Sequence, residues 1–256
     1  MKGNVLLLRW IIVAAVGGFV HEASAADFRV DNQVFTVDQQ EPLVRSTTVF
    51  GSAAVYDFLA DPAEVTMFDP RGGRIVLLDL SGRVKTELTT AQVEAFVERL
   101  RQRAAAQPRP LLRFLANPEF EASYDEQTGR VELTSPWLTY RVETVAAVSE
   151  EVSRRYREFS DWHAQLNALV HPGAHPPFAR LKLNEILAQH GRIPRRVELE
   201  IRTAQGPSAR RIRLRSVHRF AGQLAESDRD RVAQVEQFLI MFPPVHFSDY
   251  QRRLKR

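Results

Sequence analysis

The chain reads as an α+β protein dominated by antiparallel sheet, with about ten strands in meanders and three or four helices covering them. Three observations predict this. Short stretches of alternating or wholly apolar residues recur between Gly, Pro, Asn and Asp clusters from residue 27 to residue 142. Two of these runs pass into stretches with helical periodicity. A hairpin near residues 197–215 alternates strictly between aliphatic and charged side chains.

The first residues read as a cleavable export signal. Lys2 and Arg9 make a positive n-region, Trp10 to Val20 is an unbroken apolar or glycine run, and Ala23-Ser24-Ala25 has the small-x-small pattern that signal peptidase reads. The run is well short of the roughly 20 residues of a membrane-spanning helix. Residues 1–25 are therefore expected to be a signal peptide and residues 26–256 a single exported, soluble domain, periplasmic or in an equivalent envelope space. The chain contains 0 cysteines, which excludes disulfides, thiol catalysis, zinc-thiolate sites and lipidation of a cysteine. A mature chain of this length can bury a sufficient core without disulfides.

Element by element, Phe28 to Val30 and Gln33 to Val37 flank Asp31-Asn32 as a hairpin, followed by strands over Leu43 to Phe50 and Ala53 to Leu59. Val65 to Phe68, Ile75 to Leu80 and Val84 to Leu88 form a three-stranded meander. The Ile-Val-Leu-Leu run in its middle marks a strand buried on both faces. A helix begins at Thr89, with Gln92 completing a capping box and Val93, Phe96, Val97 and Leu100 on one face, and ends before Pro108. A second set of strands, Phe120 to Tyr124, Val131 to Thr134 and Trp137 to Val142, leads into a helix from Ser149 to Val170. Asp69-x-x-x-Gly73 matches Asp125-x-x-x-Gly129 in position, so residues 63–107 and 119–170 read either as a pseudo-repeat or as two uses of the same turn chemistry.

After the proline-rich loop from His171 to Pro177, a short helix is expected around Leu181 to His190. The hairpin then places Ile201 opposite Ile212, Glu200 opposite Arg213 and Glu198 opposite Arg215, with Gln205 to Ser208 as its loop. A helix from about Asp228 to Phe242 stops at Pro243-Pro244.

The net charge of +4 is unevenly spread. Residues 27–151 hold 13 basic and 20 acidic side chains, and residues 152–256 hold 20 and 10. Such asymmetry marks either an anionic partner or two parts of one fold that face each other. For an exported chain the expected anion is an envelope surface, lipid headgroups or polysaccharide, and not nucleic acid.

No nucleophile elbow, P-loop, dinucleotide fingerprint or H-E-x-x-H motif is present, and no cofactor is called for. His171 and His175 have a ligand-like spacing, but Pro172 and Gly173 place them in a loop and no third ligand is evident, so no metal site is expected. His163 projects onto the apolar stripe of its helix and is expected to be buried, either as a core histidine with a hydrogen-bond partner or as a functional group. Trp137, Tyr140, Tyr156 and Trp162 belong to the elements that pack sheet against helix. They read as core, or as the lining of a cavity together with His163.

An export signal, a long antiparallel sheet in meanders and helices inserted to cover one face resemble the lipoprotein-carrier fold of LolA and LolB. The resemblance is architectural, spans residues 27–219 and carries no short motif. The chain departs from it in having no cysteine for lipidation and in opening with strands, and no binding residue is carried over. What the resemblance implies is a curved, half-open barrel that holds a lipid or other apolar ligand between sheet and helices. Two other functions stand beside it: an envelope interaction protein with a filled core, and a hydrolase, for which a buried His163 would need a carboxylate and a hydroxyl beside it.

Overall fold

In the computed structural model, which describes residues 27–204 and 210–254, one sheet organises the chain. The expected export signal and the expected Gln205–Ser208 loop lie outside the described residues. Eleven antiparallel strands line up as β6-β5-β4-β3-β2-β1-β11-β10-β9-β8-β7, and the sheet is open, with β6 and β7 as its edges. They are β1 (Phe28–Thr36), β2 (Val44–Phe50), β3 (Val55–Leu59), β4 (Glu64–Asp69), β5 (Arg74–Asp79), β6 (Val84–Thr89), β7 (Glu121–Asp125), β8 (Arg130–Thr134), β9 (Leu138–Ala146), β10 (Arg192–Arg202) and β11 (Arg211–Ala221).

The described residues hold six helices where three or four were expected: α1 (Thr90–Ala105), α2 (Pro110–Ala116), α3 (Glu150–Val170), α4 (Phe178–Gln189), α5 (Glu226–Met241) and α6 (Phe247–Arg253). The additional two are α2 and α6. Each has seven residues, too short to display an apolar period. α2 starts on Pro110, whose fixed φ suits the first helical turn.

The expected hairpin at Asp31-Asn32 is instead the middle of one continuous strand. β1 is paired along both edges, with β2 and with β11, so its backbone groups are satisfied only if it stays extended. Asp31 there accepts from Arg29 Nη2 at 2.7 Å and from Thr47 Oγ1 at 2.9 Å. Elsewhere the local signals hold. The Thr89–Gln92 capping box forms, and Ser149 caps α3 through Val152 N. Asp69 and Asp125 accept backbone N–H groups of their own turns, and Gly73 and Gly129 take the positive φ values of 59° and 66° that those turns require. The last hairpin pairs Ile201 with Ile212, Glu200 with Arg213 and Glu198 with Arg215, as the alternation dictates.

Helices α1, α2, α3, α4 and α6 cover one face, called inner here. Two apolar clusters fill it. Around β1 to β6, Phe28, Phe50, Phe68 and Ile75 pack with Val93 and Val97 of α1, Phe159 and Leu166 of α3 and Tyr250 of α6. Around β8 to β10, Leu133, Tyr140, Val142 and Val197 pack with Leu183 and Leu187 of α4 and Leu115 of α2. A third cluster lies on the outer face, where Val49, Tyr56, Val65, Val76 and Leu78 meet Val235 and Phe242 near α5.

Candidate functional site

Between the two inner clusters, at the middle of the sheet, the inward row turns polar. β1 contributes Asn32, β2 Thr48, β3 Asp57, and β11 Ser216 and His218, all on the covered face by strand alternation. They are joined in one chain of hydrogen bonds. Thr48 Oγ1 donates to Asp57 Oδ1 at 2.6 Å, and Asn32 Nδ2 donates to Thr48 Oγ1 at 3.0 Å. Asn32 Oδ1 lies 2.8 Å from His218 Nδ1, and His218 Nε2 lies 2.9 Å from Ser216 Oγ. Because an amide oxygen can only accept, Nδ1 carries the ring proton, and Nε2 accepts from the serine hydroxyl. Burial, reinforced by the charge of Arg180, pushes the His218 pKa down to about 3, so the imidazole is neutral.

Helices α3 and α4 close the seam from above. Arg180 Nε donates to Asn184 Oδ1 at 2.9 Å, and Asn184 Nδ2 donates to Asp161 Oδ1 at 2.8 Å. Ser160 and Arg180 lie close enough to the Tyr156 hydroxyl to lower its pKa against the effect of burial. Burial pushes the Tyr140 hydroxyl up to about 12 and also raises Tyr156 and Asp161, with Arg180 opposing each of these shifts. Among the described residues Arg180 forms no ion pair; Asp161 is paired with Arg157 at 3.5 Å. The guanidinium thus sits where two apolar clusters meet, facing tyrosine, histidine and amide groups, with the Asp161 carboxylate within reach of its charge beyond Asn184.

The five residues singled out from the sequence are divided between the clusters. Tyr140 is 5% exposed in the second cluster, and Trp137 packs against it. Tyr156 stacks 6.2 Å from Phe50, and Trp162 lies 5.8 Å from Phe68, both against the first. His163 is a correction. Its side chain is 51% exposed, with Nε2 3.8 Å from Asp57 Oδ2. Phe159 and Leu166 take the core positions of α3, and His163 lies on the rim beside Asp57 of the seam. His171 and His175 are exposed, and no group of three or more potential metal ligands occurs among the described residues.

Sequence reasoning missed Arg180, Asn32, Thr48, Asp57, Ser216 and His218. A signal existed for two of them. Continuing the period of Ile212 and Leu214 through Ser216, His218 and Phe220 puts a serine and a histidine on the buried face of a longer strand. For Asn32 the turn propensity of Asp-Asn was the stronger local cue, and it pointed the other way.

No family model matches the chain, and no curated protein matches it in sequence. No helix among the described residues is long and apolar enough to cross a membrane.

Proposed function

We propose that the protein is an exported binding protein that holds an amphiphile between the sheet and its covering helices. The apolar part would lie among the residues of the two inner clusters, Trp137, Tyr140, Tyr156 and Trp162 included. The polar head would rest at the seam. The observation that carries this is Arg180: a guanidinium without an ion pair, set between two apolar clusters and ringed by hydroxyl, imidazole and amide groups. An acidic head would complete a charge-assisted pair there, stronger away from bulk water than on a surface. The open eleven-stranded sheet with helices along one face also supports the half-open carrier architecture that the sequence resembles.

Hydrolysis is the second reading, favoured by Ser216 Oγ, His218 Nε2 and Asn32 Oδ1 standing in nucleophile, base and orienting positions. Basicity weighs against it. General-base catalysis is most effective when the base's pKa lies near the working pH, and burial holds His218 at about 3.

Native mass spectrometry and solvent extraction of the protein purified from its own envelope test the proposal. A co-purifying acidic amphiphile, lost or weakened in Arg180→Gln, is the expected result. A clean apo mass, together with no uptake of added fatty acid or phospholipid, would overturn it in favour of an interaction protein with a filled core.

A further inference from the structure

One group of charges from the basic half of the chain lies together on the sheet. On the uncovered outer face of β9, β10 and β11 a groove of about 270 Å³ is lined by Arg141, Arg196, Arg213 and Arg215 against Glu198 and Glu200. The acids are already engaged. Glu198 is paired with Arg196, and Glu200 is shared by Arg202, Arg211 and Arg213. Arg215 has no carboxylate partner among the described residues; it stacks 4.5 Å from the Phe35 ring. The Nε atoms of Arg196 and Arg215 are buried without a hydrogen-bond partner. The groove therefore keeps positive charge in excess after its internal pairs are counted.

Beside it the protein exposes aliphatic side chains. Val37, which also lines the groove, is 45% exposed, Leu43 54%, Val44 38% and Ile212 42%. They gather at one end of the sheet, because β1 ends and β2 begins there while β11 starts alongside: Thr36 pairs with Leu214 and Val34 with Val44; Val37 and Leu43 lie beside the arginines, whereas Val44 and Ile212 continue the period of the inner face. Chain neighbourhood alone does not demand this grouping; the register does.

We propose that this end of the sheet docks on a bilayer surface bearing anionic lipid headgroups. The arginines would lie at headgroup phosphates, and Val37 and Leu43 beside them would enter the interfacial region. A soluble polyanion satisfies the arginines but gives the aliphatic tips nothing to bury in, and that decides for the membrane. The proposal does not rest on the ligand inferred above, since docking needs only empty vesicles.

Flotation of the full-length mature protein with phosphatidylcholine vesicles, with and without phosphatidylglycerol, tests it. Binding is expected only with phosphatidylglycerol and should fall as salt is raised. Arg215→Gln should weaken it roughly fivefold, the equivalent of about one arginine near an anionic surface. Leu43→Ser, in an exposed loop where it leaves folding intact, should weaken vesicle binding and leave binding to dextran sulfate unchanged. Equal binding to neutral vesicles overturns the proposal. So does vesicle binding that Leu43→Ser leaves untouched while dextran sulfate competes fully, which is the behaviour of a polysaccharide-binding face. Vesicle binding by a protein that carries no amphiphile supports docking and overturns only the carrier reading.

Discussion

On β2 to β5 both faces of the sheet are buried: Phe50 and Phe68 face the inner helices, and Tyr56, Val65 and Leu78 face α5. On β8 to β10 the inner face is equally apolar, but the outer face of β8 to β11 carries a ladder of arginines and glutamates open to water. The strands on the two sides are made alike, as the matching Asp69–Gly73 and Asp125–Gly129 turns illustrate. What differs is a single helix. α5 is held on the outer face by Arg29 to Asp228 at 3.1 Å and by the Tyr56 hydroxyl to Glu236 at 2.5 Å, with Lys85 bonded to the Leu239 carbonyl near its end. One half is closed on both faces, and the other leaves one face open to water.

The largest effect that would test this contrast is a cavity in the doubly covered half. Leu78 is 0% exposed, and Leu78→Ala should lower the free energy of unfolding by about 2–5 kcal/mol in urea titration. Glu198→Ala on the open face should cost less than about 1 kcal/mol. Similar losses at the two sites would break the contrast.

Detaching α5 comes next. Asp228 is 1% exposed, accepts from the Ala225 N–H at the start of α5 and pairs with Arg29. Asp228→Ala should cost about 2–4 kcal/mol, combining a lost helix cap with lost charge-assisted bonds. Hydrogen exchange should quicken in α5 and β3 to β5 before it does in β8 to β10. Uniform quickening would mean the two halves unfold as one.

Titration separates the double-sided half from the seam. Burial, with the Asp79 charge adding to it, raises Glu64 from 4.5 to about 7, so the folded chain holds a proton that the unfolded chain has released. That contribution is complete below pH 4.5 and is lost as pH rises through 7. His218 runs the other way: its folded pKa of about 3 lies below the ordinary 6.5, so its contribution is present above 6.5 and is lost as pH falls towards 3. Glu64→Gln should therefore flatten the fall in stability as pH rises from 4.5 to 7, and His218→Gln the fall as pH drops from 6.5 towards 3. Superimposable pH profiles of Tm for wild type and variants would dispose of both assignments.

The smallest expected change is at a turn. Arg83 occupies, at a φ of 50°, the conformation that Gly73 and Gly129 take in the matching turns. Arg83→Gly should be neutral or stabilising by up to about 1 kcal/mol in the same urea titration, since the relief of a left-handed non-glycine residue offsets the entropy glycine adds to the unfolded chain.

The amino-acid sequence by itself determined the antiparallel class, most strand limits, four of the helices, both Asp–Gly turns and the register of the last hairpin. Those depend on neighbours a few residues apart, through alternation, capping and turn geometry. It misjudged Asp31-Asn32 and His163, and left Arg180 unremarked. Whether Asp31-Asn32 turns or extends depends on strands arriving on both sides, one of them 186 residues away at His218. Whether His163 is buried depends on which side of α3 meets the sheet, and Phe159 and Leu166 take that side. The seam exists only where β1, which opens the described chain, is flanked by β2 and by β11, which nearly closes it. Polar side chains that are scattered and unremarkable along the sequence become a connected, partly buried network because sheet order places them side by side, and sheet order is set by the packing of the whole chain.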